Sequence, residues 1–139
     1  MSLTHTEAID GVLALFRTAW LATGYDAFYD DTAQDRGTND DPWARASIQH
    51  VDGFTGSLKG PNGTALYWRK AILTVQVFTI SASGLQTDYD LAKIVADAFE
   101  GKSVAGGLTF RDVRIREIGR DGAFRQTNVI VEFDYEEEK

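Results

Sequence analysis

Apolar residues recur along this chain with two spacings, and the change from one to the other marks out its elements. Ile9, Val12, Leu13, Phe16 and Trp20 follow the spacing of one helical face. Ahead of them, Thr4 and Glu7 have the spacing of a capping box, in which hydroxyl and carboxylate each satisfy an otherwise unpaired backbone N–H. Gly24 supplies a left-handed stop. A first helix is therefore predicted between Thr4 and Gly24, with Trp20 in the core. Gly11 inside it costs about 1 kcal/mol against Ala, which makes sense if a neighbour approaches closely there.

From Trp43 the period shifts to two. WARASIQHV (residues 43–51) reads as a strand, a Gly-rich loop follows, and residues 65–81 (ALYWRKAILTVQVFTIS) form the longest uninterrupted strand-forming stretch. Ala71, Leu73, Val75 and Val77 fall on one face of it. The other face, with Trp68, Lys70, Ile72, Thr74, Gln76, Phe78 and Ile80, is neither plainly core nor plainly solvent, so a second protein surface is expected to cover it. Seventeen residues at strand rise span roughly 56 Å, well beyond an ordinary strand, so part of this hairpin is expected to project as an arm.

The helical period returns at Leu91, Ile94, Val95 and Ala98, capped by Thr87 or Asp88 and ended by Gly101. Asp88 and Asp90 in its first turn meet the positive end of the helix dipole. Residues 109–118 then alternate Val113 and Ile115 against Arg114 and Arg116. An Asp121-Gly122 turn leads into residues 124–135, where Val129, Val131, Phe133 and Tyr135 oppose Gln126, Asn128, Glu132 and Asp134. Residues 136–138 read as an acidic tail.

The predicted fold class is α+β, a single domain over residues 1–139 in helix–hairpin–helix–hairpin order. Its four-stranded, mainly antiparallel sheet has the strand order first, second, fourth, third, with two helices on one face and a projecting hairpin arm.

Composition bounds the class more than the function. Of 139 residues, 43% are hydrophobic and 12% aromatic, enough for a packed core. No stretch reaches the length of a membrane span, and the N-terminus lacks a signal-peptide pattern, so synthesis in the cytoplasm and no membrane partner are expected. The absence of cysteine excludes disulfides and thiol chemistry. A net charge of −7 argues against general nucleic-acid binding, which needs concentrated Lys and Arg.

Residues 30–41 (DDTAQDRGTNDD) hold Asp30, Asp31, Asp35, Asp40 and Asp41 against one Arg and read as an extended loop, either merely solvated or used in assembly. They lack the alternating oxygen ligands and distal Glu of a calcium loop. Lys59 before Gly60 is no phosphate loop, since no Ser or Thr follows and no strand-to-helix transition surrounds it. His5 and His50 are isolated, and no nucleophile, Walker or dinucleotide fingerprint occurs. No catalytic, cofactor or metal site is therefore expected. What stands out is surface. Arg111, Arg114, Arg116, Arg120 and Arg125 concentrate on the last hairpin, and with Trp68 and Lys70 they are the candidate subunit or partner contacts. The acidic loop is the candidate channel or assembly segment.

WARASIQ, the turn GPNG, DLAKIVADAFEG and FRQTNVIVEFDY, together with the first helix, resemble the tail terminator-like proteins of long-tailed bacteriophages. The resemblance implies a non-enzymatic virion protein that forms a hexameric ring on the head-proximal end of the tail. Such a ring ends polymerisation of the tail tube protein and meets the head-completion protein. It also leaves an axial channel through which DNA passes without specific binding. The runner-up is a head-to-tail connector or minor tail-completion subunit.

Overall fold

The computed structural model describes residues 4–29, 42–55, 65–80, 85–104, 107–121 and 124–138. Its elements are α1 (His5–Leu21), β1 (Asp26–Tyr29), β2 (Trp43–Thr55), β3 (Leu66–Ile80), α2 (Leu85–Phe99), β4 (Ser103–Val104), β5 (Leu108–Asp121) and β6 (Phe124–Glu138). Helix α1 begins at the capping box: the Glu7 N–H donates to Thr4 Oγ1 and the Thr4 N–H to Glu7 Oε1, both at 3.2 Å. Past its end, Gly24 takes a φ of 75°, open to glycine without strain. Trp20, 1% exposed, has its indole N–H bonded to the Asp26 carbonyl at 3.0 Å, which fixes the path from α1 into β1.

The sheet corrects the four-stranded antiparallel expectation. It has six strands in the order β1-β2-β3-β6-β5-β4, and it is mixed, because β1 pairs parallel to β2. The two strands missing from the sequence reading are the shortest. β1 is four residues long and β4 two, too short for a period of two to show. Both exist because a longer strand offers them an edge. A parallel pair needs a crossover of about a dozen residues, which gives the long stretch between Tyr29 and Trp43 a topological reason.

Four further boundaries differ, the first being that β2 runs past Val51 to Thr55. α2 begins at Leu85, ahead of the Thr87 or Asp88 cap. β5 runs on to Asp121. The acidic residues 136–138 are no tail: they continue β6, pairing with Trp68, Tyr67 and Leu66 of β3. The far end of the hairpin is therefore three-stranded, and β6 follows β3 to its start, so its backbone groups pair there in place of facing water. The Gly-rich loop residues 56–64, including GPNG, lie outside the described residues.

Alternation along β3 decides the faces. Ala71, Leu73, Val75, Val77 and Thr79 are at most 1% exposed, as are Val129, Val131, Phe133 and Tyr135 of β6. Ala8, Val12, Phe16 and Trp20 of α1 and Leu91, Ala92, Val95, Ala96 and Phe99 of α2 close over them in one core. Each large side chain buried there contributes about 1.5–3 kcal/mol of transfer free energy. Gly11 sits where β4 crosses α1. A Cβ at that position would lie 2.9 Å from Val104 Cγ1, so the close neighbour is real.

Candidate functional site

With both helices on one face, the other face of the sheet is uncovered among the described residues, and strand register lays it out in rows. At one end Trp43 of β2 faces Phe78 of β3, their rings stacked with centroids 4.1 Å apart, and Phe28 of β1 meets Trp43 edge-on at 5.6 Å. The next rows run Arg45, Gln76, Asn128, Arg116 and then Ser47, Thr74, Ile130, Arg114. None of the side chains in these rows is a carboxylate. Arg45, Arg114 and Arg116 are exposed, and Arg45 also lies over the Trp43 ring at 5.8 Å. A chain of net charge −7 thus presents a cationic, amide-rich band on its open face. A concavity of about 530 Å³ lies in this band, lined by Ser47, Ile48, Gln49, Ile72, Thr74, Arg114 and Ile130.

Farther along, the face carries mixed charge. Arg114 is held by Asp112, and Glu132 accepts from the same nitrogen at 3.5 Å. The hydrogen bond to Asp112 keeps the already high Arg114 pKa raised. Arg111 stands at a bulge in β5, where its Nε–H donates to Asp134 Oδ2 at 2.8 Å, and that bond raises its pKa likewise. Both guanidinium groups stay charged. The Asp134 side chain is only 11% exposed, so Arg111 acts as its lid. Trp68 and Lys70 join Arg111 and Asp134 around a depression of about 310 Å³.

The arginines expected to act together are divided by the fold. Arg114 and Arg116 share the open face, and Arg111 borders it with Trp68 and Lys70. Arg125 turns to the helix-covered side, where its Nε lies 2.8 Å from Oδ2 of Asp88. The N–H points off the line to that oxygen, making the contact an ion pair without a hydrogen bond. Asp88 also accepts from the hydroxyl of buried Thr79. Asp88 thus ties α2 to the sheet, a stronger role than the dipole contact read from its position. Arg120 belongs to β5, but its side chain lies outside the described residues, as do Asp30, Asp31, Asp35, Asp40 and Asp41. Arg45 and Phe28 were missed by sequence reading. Period two along β2 puts Arg45 on the same face as Ser47; Phe28 had no legible pattern around it.

Past the helices, on the covered side of the long strands, His50 Nε2 and the Tyr135 hydroxyl share a hydrogen bond at 2.7 Å, and Arg69 donates to Glu137 at 3.0 Å. Burial, with Glu137 nearby, raises the Tyr135 pKa. Among the described residues, no three of His, Asp and Glu form a group that could hold a metal ion, and no helix is long and apolar enough to cross a membrane.

No protein-family model matches the sequence, and no curated protein is similar to it. Its fold has solved counterparts. One superposes with a TM-score of 0.61 at 12% identity over 91% of this chain and 94% of that one. Another, from the virion of a native gene transfer agent particle, gives a TM-score of 0.47 at 17% identity over 91% and 92%. At such identity the first likeness speaks for the fold alone.

Proposed function

We propose that this chain is a structural virion protein, a tail terminator-like subunit that assembles into a hexameric ring on the end of a phage-type tail tube. In this reading the ring stops polymerisation of the tube protein, offers its other side to the head-completion protein, and passes DNA through its axis. The subunit performs no catalytic step and needs no cofactor. It works in the virion, at the head-proximal end of the tail, and resides in the host cytoplasm before assembly.

The observation that supports the reading best is the uncovered sheet face. Trp43, Phe78, Ile72 and Ile130 share it with Arg45, Arg116 and Arg114, the last already held by Asp112 and Glu132, and aromatic and arginine anchors are the mixture that subunit interfaces use. Complementary charge for these arginines is plentiful on copies of an acidic chain. The acidic segment of residues 30–41 takes the assembly or channel role here, where a negative wall repels phosphate and lets a duplex slide.

The test is native mass measured over a concentration series, alone and with purified tail tube protein. A six-membered ring, free or seated on tube ends, is expected. A protein that stays monomeric even when bound to tubes overturns the ring. A ring that ignores tubes but binds a head portal points to the head-to-tail connector reading.

A further inference from the structure

The outer face of α2 carries charge that its own subunit leaves unanswered. Asp90, Lys93, Ile94 and Asp97 turn away from the core at helical spacing and are all exposed, as is Glu100 one residue past the helix end. The Glu100 N–H still bonds the Ala96 carbonyl at 3.0 Å, so the helical path reaches it. Asp97 and Glu100 stand at the negative end of the helix dipole, where carboxylates are disfavoured, and no basic residue occupies the last turn. Lys93 and Lys102 are near in sequence, yet among the described residues neither pairs with Asp90, Asp97 or Glu100.

The open sheet face has the converse surplus. Arg45 and Arg116 end one row across β2, β3, β6 and β5, and neither forms an ion pair among the described residues. Arg114 differs, being held already by Asp112 and Glu132. Glu117 does not face this band: alternation turns it to the covered side, where it accepts from the Tyr89 hydroxyl. Three strand spacings put Arg45 and Arg116 about 14 Å apart, and ten residues of helical rise put Asp90 and Glu100 about 15 Å apart. Ile94, 39% exposed, falls between these two carboxylates.

We infer that copies of this chain join head to tail, α2 of one subunit lying across the strands of the next, with Asp90 and Glu100 against its Arg45 and Arg116. Ile94 then covers the concavity lined by Ile72, Thr74 and Ile130. The symmetric pairings match worse in charge. Two α2 faces would set the same carboxylates against one another. Two sheet faces would offer Arg45 and Arg116 mainly Asp112, Glu132 and Asp134, which Arg114 and Arg111 already hold. Of the described acidic side chains at that end of the face, Glu136 alone is without an ion pair. Because a helix face meets a sheet face, the contact is heterologous, and repetition closes into a ring if the rotation allows. The pairing rests on the ring reading above and names two surfaces that would build it.

Charge reversal and carboxylate labelling test this. Asp90→Lys with Glu100→Lys, and separately Arg45→Glu with Arg116→Glu, are each expected to raise the subunit dissociation constant by about tenfold or more, with the circular dichroism of the wild-type monomer. Mixing the two variants is expected to restore assembly with both proteins in the ring, since each reversed face then meets its complement. On wild-type protein, carbodiimide labelling of Asp90, Asp97 and Glu100 is expected to fall on assembly. A helix variant that assembles as wild type overturns the pairing, and so does a mixture that stays apart although both variants fold. A wild-type ring whose α2 carboxylates label as in the monomer overturns the pairing and leaves the ring standing. Wild-type protein that stays monomeric with and without tubes overturns both. The labelling of wild-type protein decides the matter even where a variant fails to fold.

Discussion

Arg125 of β6 and Asp88 of α2 meet with Nε 2.8 Å from Oδ2, and the Asp88 side chain is 3% exposed. This one ion pair joins the last hairpin to the helix packed on it, with the Thr79 hydroxyl completing the anchor from β3. A carboxylate this deep needs a counter-charge. Arg125→Ala leaves Asp88 buried and uncompensated. The expected loss is toward the lower end of the about 3–5 kcal/mol typical of a broken buried pair, since Arg125 is itself 27% exposed. Urea unfolding measures it. Asp88→Asn in the Arg125→Ala background should recover part of the loss, because a neutral amide still bonds Thr79.

Gly11 and Val104 define the contact of α1 with β4. Gly11→Ala gains up to about 1 kcal/mol of helix propensity but sets a methyl 2.9 Å from Val104 Cγ1. The net effect expected is a lower melting temperature. Combining it with Val104→Ala, which removes the opposing methyls, should restore more stability than the two single effects summed. Strict additivity in thermal melts would show that the two residues do not press on each other.

Tyr135 links stability to alkaline pH. Burial raises its pKa above the usual 10.0, so the folded protein holds the phenolic proton where the unfolded chain has released it. That stabilisation is present below pH 10 and is lost as pH rises through the higher folded value. Tyr135→Phe should flatten the fall in stability above pH 10. At neutral pH it should cost about 1 kcal/mol through the lost bond to His50. Unfolding free energies from pH 7 to 11.5 give both readings.

The open-face arginines carry the prediction on assembly. Arg114→Glu with Arg116→Glu replaces attraction to acidic copies by repulsion; Arg114→Glu also sets a third carboxylate beside Asp112 and Glu132, a cost confined to exposed side chains that leaves the core untouched. Weaker ring formation, by about tenfold or more in dissociation constant, is expected from a monomer that still melts cooperatively. The defect should shrink as salt screens the charges. Ring formation equal to wild type at low salt would exclude a role for this band.

Much of the local structure was legible in the sequence. The capping box at Thr4 and Glu7, the left-handed Gly24, the buried face of α1 and the alternation of β3, β5 and β6 depend on neighbours along the chain or on a period repeated many times. The tertiary structure decided what depends on distant partners. β1 and β4 are strands only because β2 and β5 offer them edges, and no pattern two or four residues long announces that. Residues 136–138 look like a solvated tail until β3 pairs with them. Four of the five arginines are described, and although close in sequence they part: alternation and a bulge send Arg114 and Arg116 to the open face, Arg111 over Asp134, and Arg125 to Asp88. Proximity along a strand does not choose a face; parity and the partner across the sheet do.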